Sequence, residues 1–369
     1  MPEKNSAAVQ LSALKSEFCK HGHEVKVFTT KVFNRQKHED IYEAFVPFLK
    51  SRNLLLRTLG EFLLSPIFFI SFYFQIKRYN PDLIVFYSPS IFFGPFVSLF
   101  KRNTTICLIL RDIFPEWAAR IGLIKSTKIL NFFKYFSSLQ YKAADHIAYE
   151  SEQNIQYLEK YNINKKLFRL NNWLGDRIID HTKVPHKYCK NLSDKKIIIY
   201  AGTIGHAQGV DNFKRFSTTI AKDKDYHFLM VAHGLFLEEL KKFVFENSIT
   251  NISFKDPVPA EEIEELLESC YLGYISLQDE LDNIPGKFIT YLRAGIPVFA
   301  DISSDNALNK IIPEEKVGFI GCKNQSKDNF YLEKIKDVET YNEYSINCKK
   351  LHNLNYSAFE AYRNLLDKM

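Results

Sequence analysis

Asp282-Asn283-Ile284-Pro285-Gly286-Lys287-Phe288-Ile289-Thr290-Tyr291-Leu292-Arg293-Ala294-Gly295-Ile296-Pro297-Val298 reads as a tight loop, a short helix and a Gly-Pro turn into a buried strand. Pro285 and Gly286 stand where the helix begins, and proline is tolerated there because the first N–H groups of a helix lack an intrahelical acceptor. Those free N–H groups, with the positive end of the helix dipole, favour an anion. Lys287 adds a full positive charge at the same end. Gly295 suits the residue that closes a helix, and Pro297 prevents its continuation. A diphosphate is the natural guest of such a turn. The same residues also spell an ordinary loop, helix and strand of an α/β domain, so the neighbouring stretches decide between the two readings.

A second stretch of anion-binding type lies upstream. A buried strand over 196–201 runs into Gly202-Thr203-Ile204-Gly205-His206-Ala207-Gln208-Gly209 and then a helix. Glycines let a backbone approach phosphate closely, and the helix start again supplies donors. The pattern is not G-x-G-x-x-G and gives no dinucleotide fingerprint. Around these loops, strands over 227–232, 251–254 and 272–277 alternate with helices over 235–245 and 260–269, as a doubly wound domain requires. The first half repeats the alternation, with strands over 82–88, 105–110, 146–151 and 167–173. Arg111-Asp112-Ile113-Phe114-Pro115-Glu116-Trp117 leaves the carboxyl end of the strand over 105–110, and in open α/β sheets ligands sit at that end. Asp112 is read there as a ligand contact, or alternatively as a cap of the following segment with Arg111 paired locally.

In this order, the motifs resemble those of family 4 glycosyltransferases, which have the GT-B fold. The Arg-Asp-Ile-Phe-Pro-Glu run is similar to a form recurrent in bacterial polysaccharide glycosyltransferases. In the wider family two glutamates stand eight positions apart, one on the donor sugar and one on the nucleotide ribose. Their places here hold Asp282 and Thr290, and where many members have Arg and Lys in the glycine loop this chain has Thr203 and Gln208.

The resemblance implies an α/β chain of two Rossmann-like domains with a cleft between them. Its parts would be an acceptor-binding domain over 1–181, a nucleotide-sugar domain over 182–340 and a closing helical segment over 341–369. It implies a retaining glycosyltransferase that moves a sugar from a UDP-sugar donor without metal or other cofactor. Asp112, Asp282 and Lys287 are the implied catalytic residues. The implied substrate contacts are Gly202, Thr203, Gly205, His206, Gln208, Gly209, His233, Val258, Asn283, Ile284, Pro285, Gly286 and Thr290. Similar sequences with the Ile-Pro-Gly-Lys-Phe form act in O-antigen or capsule assembly, moving deoxy-amino sugars such as N-acetyl-L-fucosamine onto undecaprenyl-diphosphate-linked saccharide. Two alternatives stand beside this reading. One is a non-catalytic GT-B scaffold subunit, favoured by Thr290 and by the absence of the family's first strand ahead of residues 6–20. The other is a UDP-N-acetylhexosamine epimerase, which would need more carboxylates and histidines in its cleft.

Composition sets outer bounds. The 369 residues allow two domains of ordinary size, and 46% apolar with 25% charged residues is globular. A net charge of +6 is too weak to imply nucleic acid, but it fits an anionic ligand or an anionic lipid surface. The six cysteines are scattered with no Cys/His cluster, which argues against zinc. Without a signal-peptide pattern at the start they read as reduced cytoplasmic thiols. Asp223-Lys224-Asp225 has the spelling of a metal-binding Asp-x-Asp but precedes a strand instead of following one. No nucleophile elbow appears, so a hydrolase is unsupported.

Residues 6–20 read as an amphipathic helix with Val9, Leu11, Leu14 and Phe18 inward. The aromatic helical region over 52–78 is the least ordinary part. Its heart, 62–74, is interrupted by Pro66 and falls short of the roughly 20 residues that span a bilayer. It is either a core helix with a partly exposed aromatic face or a monotopic membrane contact flanked by Arg57, Lys77 and Arg78. Apolar side chains all round favour the contact, and with it a peripheral place on the inner face of the bacterial cytoplasmic membrane.

Overall fold

The computed structural model describes residues 6–31, 39–51, 53–88, 90–111, 113–120, 122–150, 152–159, 161, 163, 166–176, 186–278, 284–321 and 324–369. The chain divides into two compact units, Met1–Asn172 with Ala361–Met369, and Trp173–Glu360. Both are α/β with parallel sheets, the Rossmann-like arrangement of the GT-B fold.

The first unit holds β1 (Val27–Thr30), β2 (Ile41–Ala44), β3 (Leu83–Tyr87), β4 (Thr105–Leu110), β5 (His146–Tyr149) and β6 (Lys166–Arg169). β1 pairs with β2, and β3-β4-β5-β6 form a second sheet, all parallel. From Ile106 to Leu110 every residue of β4 is buried. Such an unbroken apolar run is what a parallel strand covered on both faces demands. Among the described residues, β1 and β3 each have one ladder partner only, so both are sheet edges.

Helix Ser6–Lys20 buries Leu14 and Phe18 as its periodicity predicts, but Val9 is exposed and Ala8 takes the inward place. The aromatic region read over 52–78 is helical over nearly that span, and its apolar run extends beyond the 62–74 heart. Helices Leu54–Phe62 and Leu64–Tyr79 abut at Leu63, and the 26-residue run is long and apolar enough to cross a membrane. Pro66 does not end it, because proline in the first turn of a helix removes a bond that little depends on. The bonds from Leu63 N to Leu59 O (3.0 Å) and Ile67 N to Leu63 O (3.1 Å) carry the helical pattern across. Nor is the run uniform: Gly60, Leu64, Phe68, Phe72 and Ile76, one every fourth residue, are buried. The last four pack into the core of this unit with Phe86, Phe96 and Leu108.

The second unit holds β7 (Lys196–Thr203), β8 (Tyr226–His233), β9 (Ile252–Lys255), β10 (Leu272–Ser276), β11 (Val298–Asp301) and β12 (Gly318–Ile320). The order is β12-β11-β10-β7-β8-β9, all parallel. The chain builds outward from β7 to β9, then crosses back to lay β10 on the other side of β7. Strand order therefore reverses between β7 and β10, and such a reversal opens a crevice at the carboxyl ends. Apolar cores cover both faces of the sheet.

The tail, read from sequence as one helical segment, is two helices, Val338–Asn355 and Ala358–Lys368. Leu174 closes the break by accepting from Ala358 N (2.8 Å) and donating to Tyr356 O (2.9 Å). From Ala361 the chain belongs to the first unit, where Tyr362 stacks on His21 at 4.6 Å and hydrogen-bonds His23 Nε2 at 3.1 Å.

Candidate functional site

Both anion-type stretches leave the strands that flank the reversal: Gly202 and Thr203 end β7, and the segment leading to helix Gly286–Ala294 follows β10. The helix is seated by its own sequence. Phe288, Ile289, Tyr291 and Leu292 face the core. Tyr291 lies in a slot that exists because residue 273 is glycine; a Cβ there would stand 2.2 Å from the tyrosine ring. Its hydroxyl donates to Ile199 O on β7 at 3.2 Å. At the far end Arg293 donates to Gly175 O at 3.0 Å and pairs with Glu264. Gly295 closes the helix at φ 72°, a conformation glycine adopts without strain.

Pro285 stands one place before the first helical residue, not within the first turn. Among the described residues no side chain caps the first N–H groups, and none lies within 4 Å of where a Gly286 Cβ would be. A helix start in this state offers its amides and dipole to an anion. Lys287 bends back over the sheet. Its Nζ lies 4.0 Å from the centroid of the Tyr200 ring and 3.5 Å from where a Cβ on Gly202 would stand. The aromatic face attracts the ammonium group, while burial pulls its pKa from 10.5 down to about 8. Among the described residues no carboxylate pairs with it.

The glycine loop is fixed from beneath. Gly202 has φ 141° and Gly209 φ 63°, values that favour glycine. Gly205 N donates to Gln208 Oε1 at 3.0 Å, closing the loop on itself. Ser276 Oγ, at the end of β10, donates to Gln208 O and accepts from Asn212 Nδ2 (3.0 Å), while Gln278 N donates to Ala207 O (2.9 Å). The hydroxyl of Tyr200 donates to Thr203 O. Thr203 Oγ1 and His233 Nε2 are hydrogen-bonded at 3.1 Å and both exposed, and His206, also exposed, meets Phe236 edge-to-face at 4.9 Å.

Gly202, Thr203, Gly205, His206, Gln208, Gly209, His233, Pro285, Gly286 and Lys287 thus belong to the carboxyl-end face of one sheet. Val258 and Ile284 turn partly buried side chains to the core. Thr290 lies one turn into the helix, and its hydroxyl donates to Gly286 O at 3.1 Å. Asp112, Asp282 and Asn283 lie outside the described residues. Asp223 and Asp225, the Asp-x-Asp pair, both bind Lys336, at 2.7 and 2.9 Å.

Sequence reading missed Tyr200, Ser276 and Asn212, the supports of the loop. A tyrosine inside an isoleucine-rich strand, two residues before a glycine, was the available signal.

In the first unit every strand of the larger sheet delivers a polar group at its carboxyl end. Arg111, after β4, donates to Leu170 O (2.9 Å) and Asn171 O (3.3 Å), beyond β6, and its backbone N–H donates to Ser88 Oγ (2.8 Å), beyond β3. Glu150, after β5, lies 3.8 Å from Arg111 and accepts from Asn172 Nδ2. Gln10 links Asn172 to Tyr87 through bonds of 3.1 Å on either side. Arg111 is therefore an internal strut. Glu150, Asn172 and Gln10 escaped the sequence reading because they meet only through the folding of three separate segments.

Comparison with protein-family models matches residues 7–173 to Glycosyltransferase Family 4. No curated protein sequence matches. Among solved structures, sucrose-phosphate synthase from Thermosynechococcus elongatus is similar over 98% of this chain and 92% of its own, with a TM-score of 0.67 at 14% identity. WaaG, a glycosyltransferase involved in lipopolysaccharide biosynthesis, is similar over 100% and 96%, with a TM-score of 0.62 at 13% identity. Anabaena HepE, solved with UDP and glucose, is similar over 93% and 99%, with a TM-score of 0.59 at 11% identity. Identities this low speak for the fold. Taken with the family match, they give a GT-B fold in which residues 7–173 are a family 4 glycosyltransferase domain.

Proposed function

We propose that the protein transfers a sugar, with retention of configuration, from a UDP-sugar to a lipid-linked saccharide during assembly of a cell-surface polysaccharide. One observation carries the donor half: the Lys287 ammonium group sits over Gly202 and Tyr200, beside an uncapped helix start, where the sheet reverses. A full charge and the amides of a helix start are thereby offered beside the glycine loop. A diphosphate leaving group gains charge as the glycosidic bond breaks, and donors fixed in advance stabilise that charge without reorganising. Thr203, His206 and His233 offer neutral donors beside the loop. Asp282 and Asp112 are proposed to contact the sugar and the acceptor hydroxyl, and Thr290 the ribose. The chemistry assigned to these residues needs no metal.

Support for the UDP moiety comes from the HepE complex, whose ligands are UDP and glucose. Support for a surface-polysaccharide role comes from the likeness to WaaG and from the motif resemblance, which also suggests a deoxy-amino sugar and an undecaprenyl-diphosphate carrier. Reached from the inner face of the cytoplasmic membrane, such an acceptor requires a peripheral enzyme. A thermal-shift panel tests the donor half. UDP is expected to raise the melting temperature while NAD leaves it unchanged, and stabilisation by NAD alone would overturn the reading. UDP release that depends on a lipid-linked acceptor tests the other half; UDP binding with no turnover on any such acceptor would favour the scaffold alternative.

A further inference from the structure

We infer that the first unit rests on an anionic lipid surface through two helices, without crossing it. The inference deepens the lipid-linked reading of the acceptor by naming the surface that meets the membrane. Helix run Leu54–Tyr79 turns its other side outward: Leu55, Ile70 and Phe74 are 81%, 79% and 79% exposed. Helix Thr127–Ala143, which the sequence reading did not single out, exposes Ile129 and Phe132. The two elements are joined by rings, with Phe62 against Phe136 at 5.6 Å and Phe136 against Phe132 at 5.1 Å. Together they make one apolar face on one unit, larger than scattered surface side chains account for.

Charge says what covers it. Residues 54–143 contain 11 Lys and Arg against 4 Asp and Glu, while the rest of the chain contains 38 against 39. The net positive charge of the protein is therefore confined to the segment that bears the apolar face. Helix Thr127–Ala143 has no acidic residue at all. An apolar face carried on a basic segment, even with the internal Arg111 left out of the count, suits the boundary between acyl chains and anionic headgroups. A second copy of this chain would set like charges against each other.

The run does not span. At about 1.5 Å per residue its length exceeds the roughly 30 Å of hydrocarbon, so length alone permits crossing. However, Leu64, Phe68, Phe72 and Ile76 are built into the core of the unit, and a spanning helix would strip them from it. Because Phe68 and Phe72 are core residues, serine at those places would unfold the unit instead of releasing it from a membrane.

The test is sedimentation of the full chain with vesicles, read without sugar transfer, so it fails independently of the donor and acceptor assignments. The protein is expected to bind vesicles of phosphatidylglycerol and phosphatidylcholine in equal parts at least tenfold more tightly than pure phosphatidylcholine. High salt should weaken that binding. Leu55→Ser with Ile70→Ser, and separately Ile129→Ser with Phe132→Ser, should each weaken it about tenfold. Phe245→Ser, at a position 85% exposed in the second unit, should leave it unchanged. All variants should keep the wild-type circular dichroism and UDP stabilisation. The inference is overturned if anionic vesicles are not bound, if neutral vesicles are bound equally, or if the paired variants fold and bind as wild type. Resistance to alkaline carbonate extraction would show a spanning helix instead. Dimers that light scattering finds in the wild type but not in the variants would show a second copy on this face.

Discussion

Replacing Lys287 by methionine tests the donor site through protons as well as affinity. In the free protein the ammonium group is enclosed beside Tyr200 and Gly202, and burial brings its pKa from 10.5 to about 8. A bound diphosphate sets negative charge against it and favours the protonated form. Binding UDP should therefore draw a proton from solvent where the free lysine is neutral: about 0.1 proton at pH 7, about half at pH 8 and about 0.9 at pH 9. At pH 9 the terminal phosphate of UDP is already ionised and contributes no opposing release. Isothermal titration in buffers of different ionisation enthalpy measures this uptake directly. In Lys287→Met the uptake should vanish and UDP should bind about 30-fold more weakly, the equivalent of one charged hydrogen bond of about 2 kcal/mol.

The same change acts oppositely on stability. The unfolded chain holds the proton up to about pH 10 and the folded chain loses it near 8, so unfolding binds a proton between those values and stability rises with pH there. Below pH 8 the folded state bears the whole cost of enclosing the charge, up to about 3 kcal/mol. At pH 7 Lys287→Met should therefore melt higher than wild type while binding UDP less well. Wild-type protein that takes up no proton on binding UDP at pH 9, or a variant that keeps the uptake, would refute this account of the site.

Further predictions concern the supports. Gly202→Val places a branched side chain at φ 141° against Lys287 Nζ; UDP affinity should fall at least tenfold, by titration, in a protein whose circular dichroism is retained. Gly273→Ala drives a methyl into the Tyr291 ring; a loss of about 3 kcal/mol is expected, measured by urea unfolding of the full chain. Arg111→Met strips the Leu170 and Asn171 carbonyls of a charged donor. It should destabilise the first unit by about 3 kcal/mol, seen as an earlier calorimetric transition, with UDP affinity unchanged because the proposed donor site lies in the second unit.

The parts of the fold legible in the sequence were those that one local rule decides. Unbroken apolar runs such as 106–110 announce buried parallel strands, and Pro285 with Gly295 brackets a helix whatever surrounds it. What could not be read depends on partners remote in the chain. The aromatic run looked apolar on all sides because phenylalanine is written alike whether it faces a core or a solvent. Only packing sorts the inward stripe at Leu64, Phe68, Phe72 and Ile76 from the outward one.

The proposed donor site divides along the same line. Lys287 could be picked out because a cation beside a helix start has an obvious use. Tyr200 could not, since its part is to lie beneath a lysine 87 positions away. This pairing also explains how a partly buried cation is tolerated with no carboxylate beside it among the described residues. A carboxylate partner would hold the lysine charged in the free protein, but it would also have to be displaced by, or repel, the incoming diphosphate. An aromatic face supports the ammonium group without competing for it, and the ligand itself supplies the missing negative charge. The proton taken up on binding is then the direct measure of that division of labour.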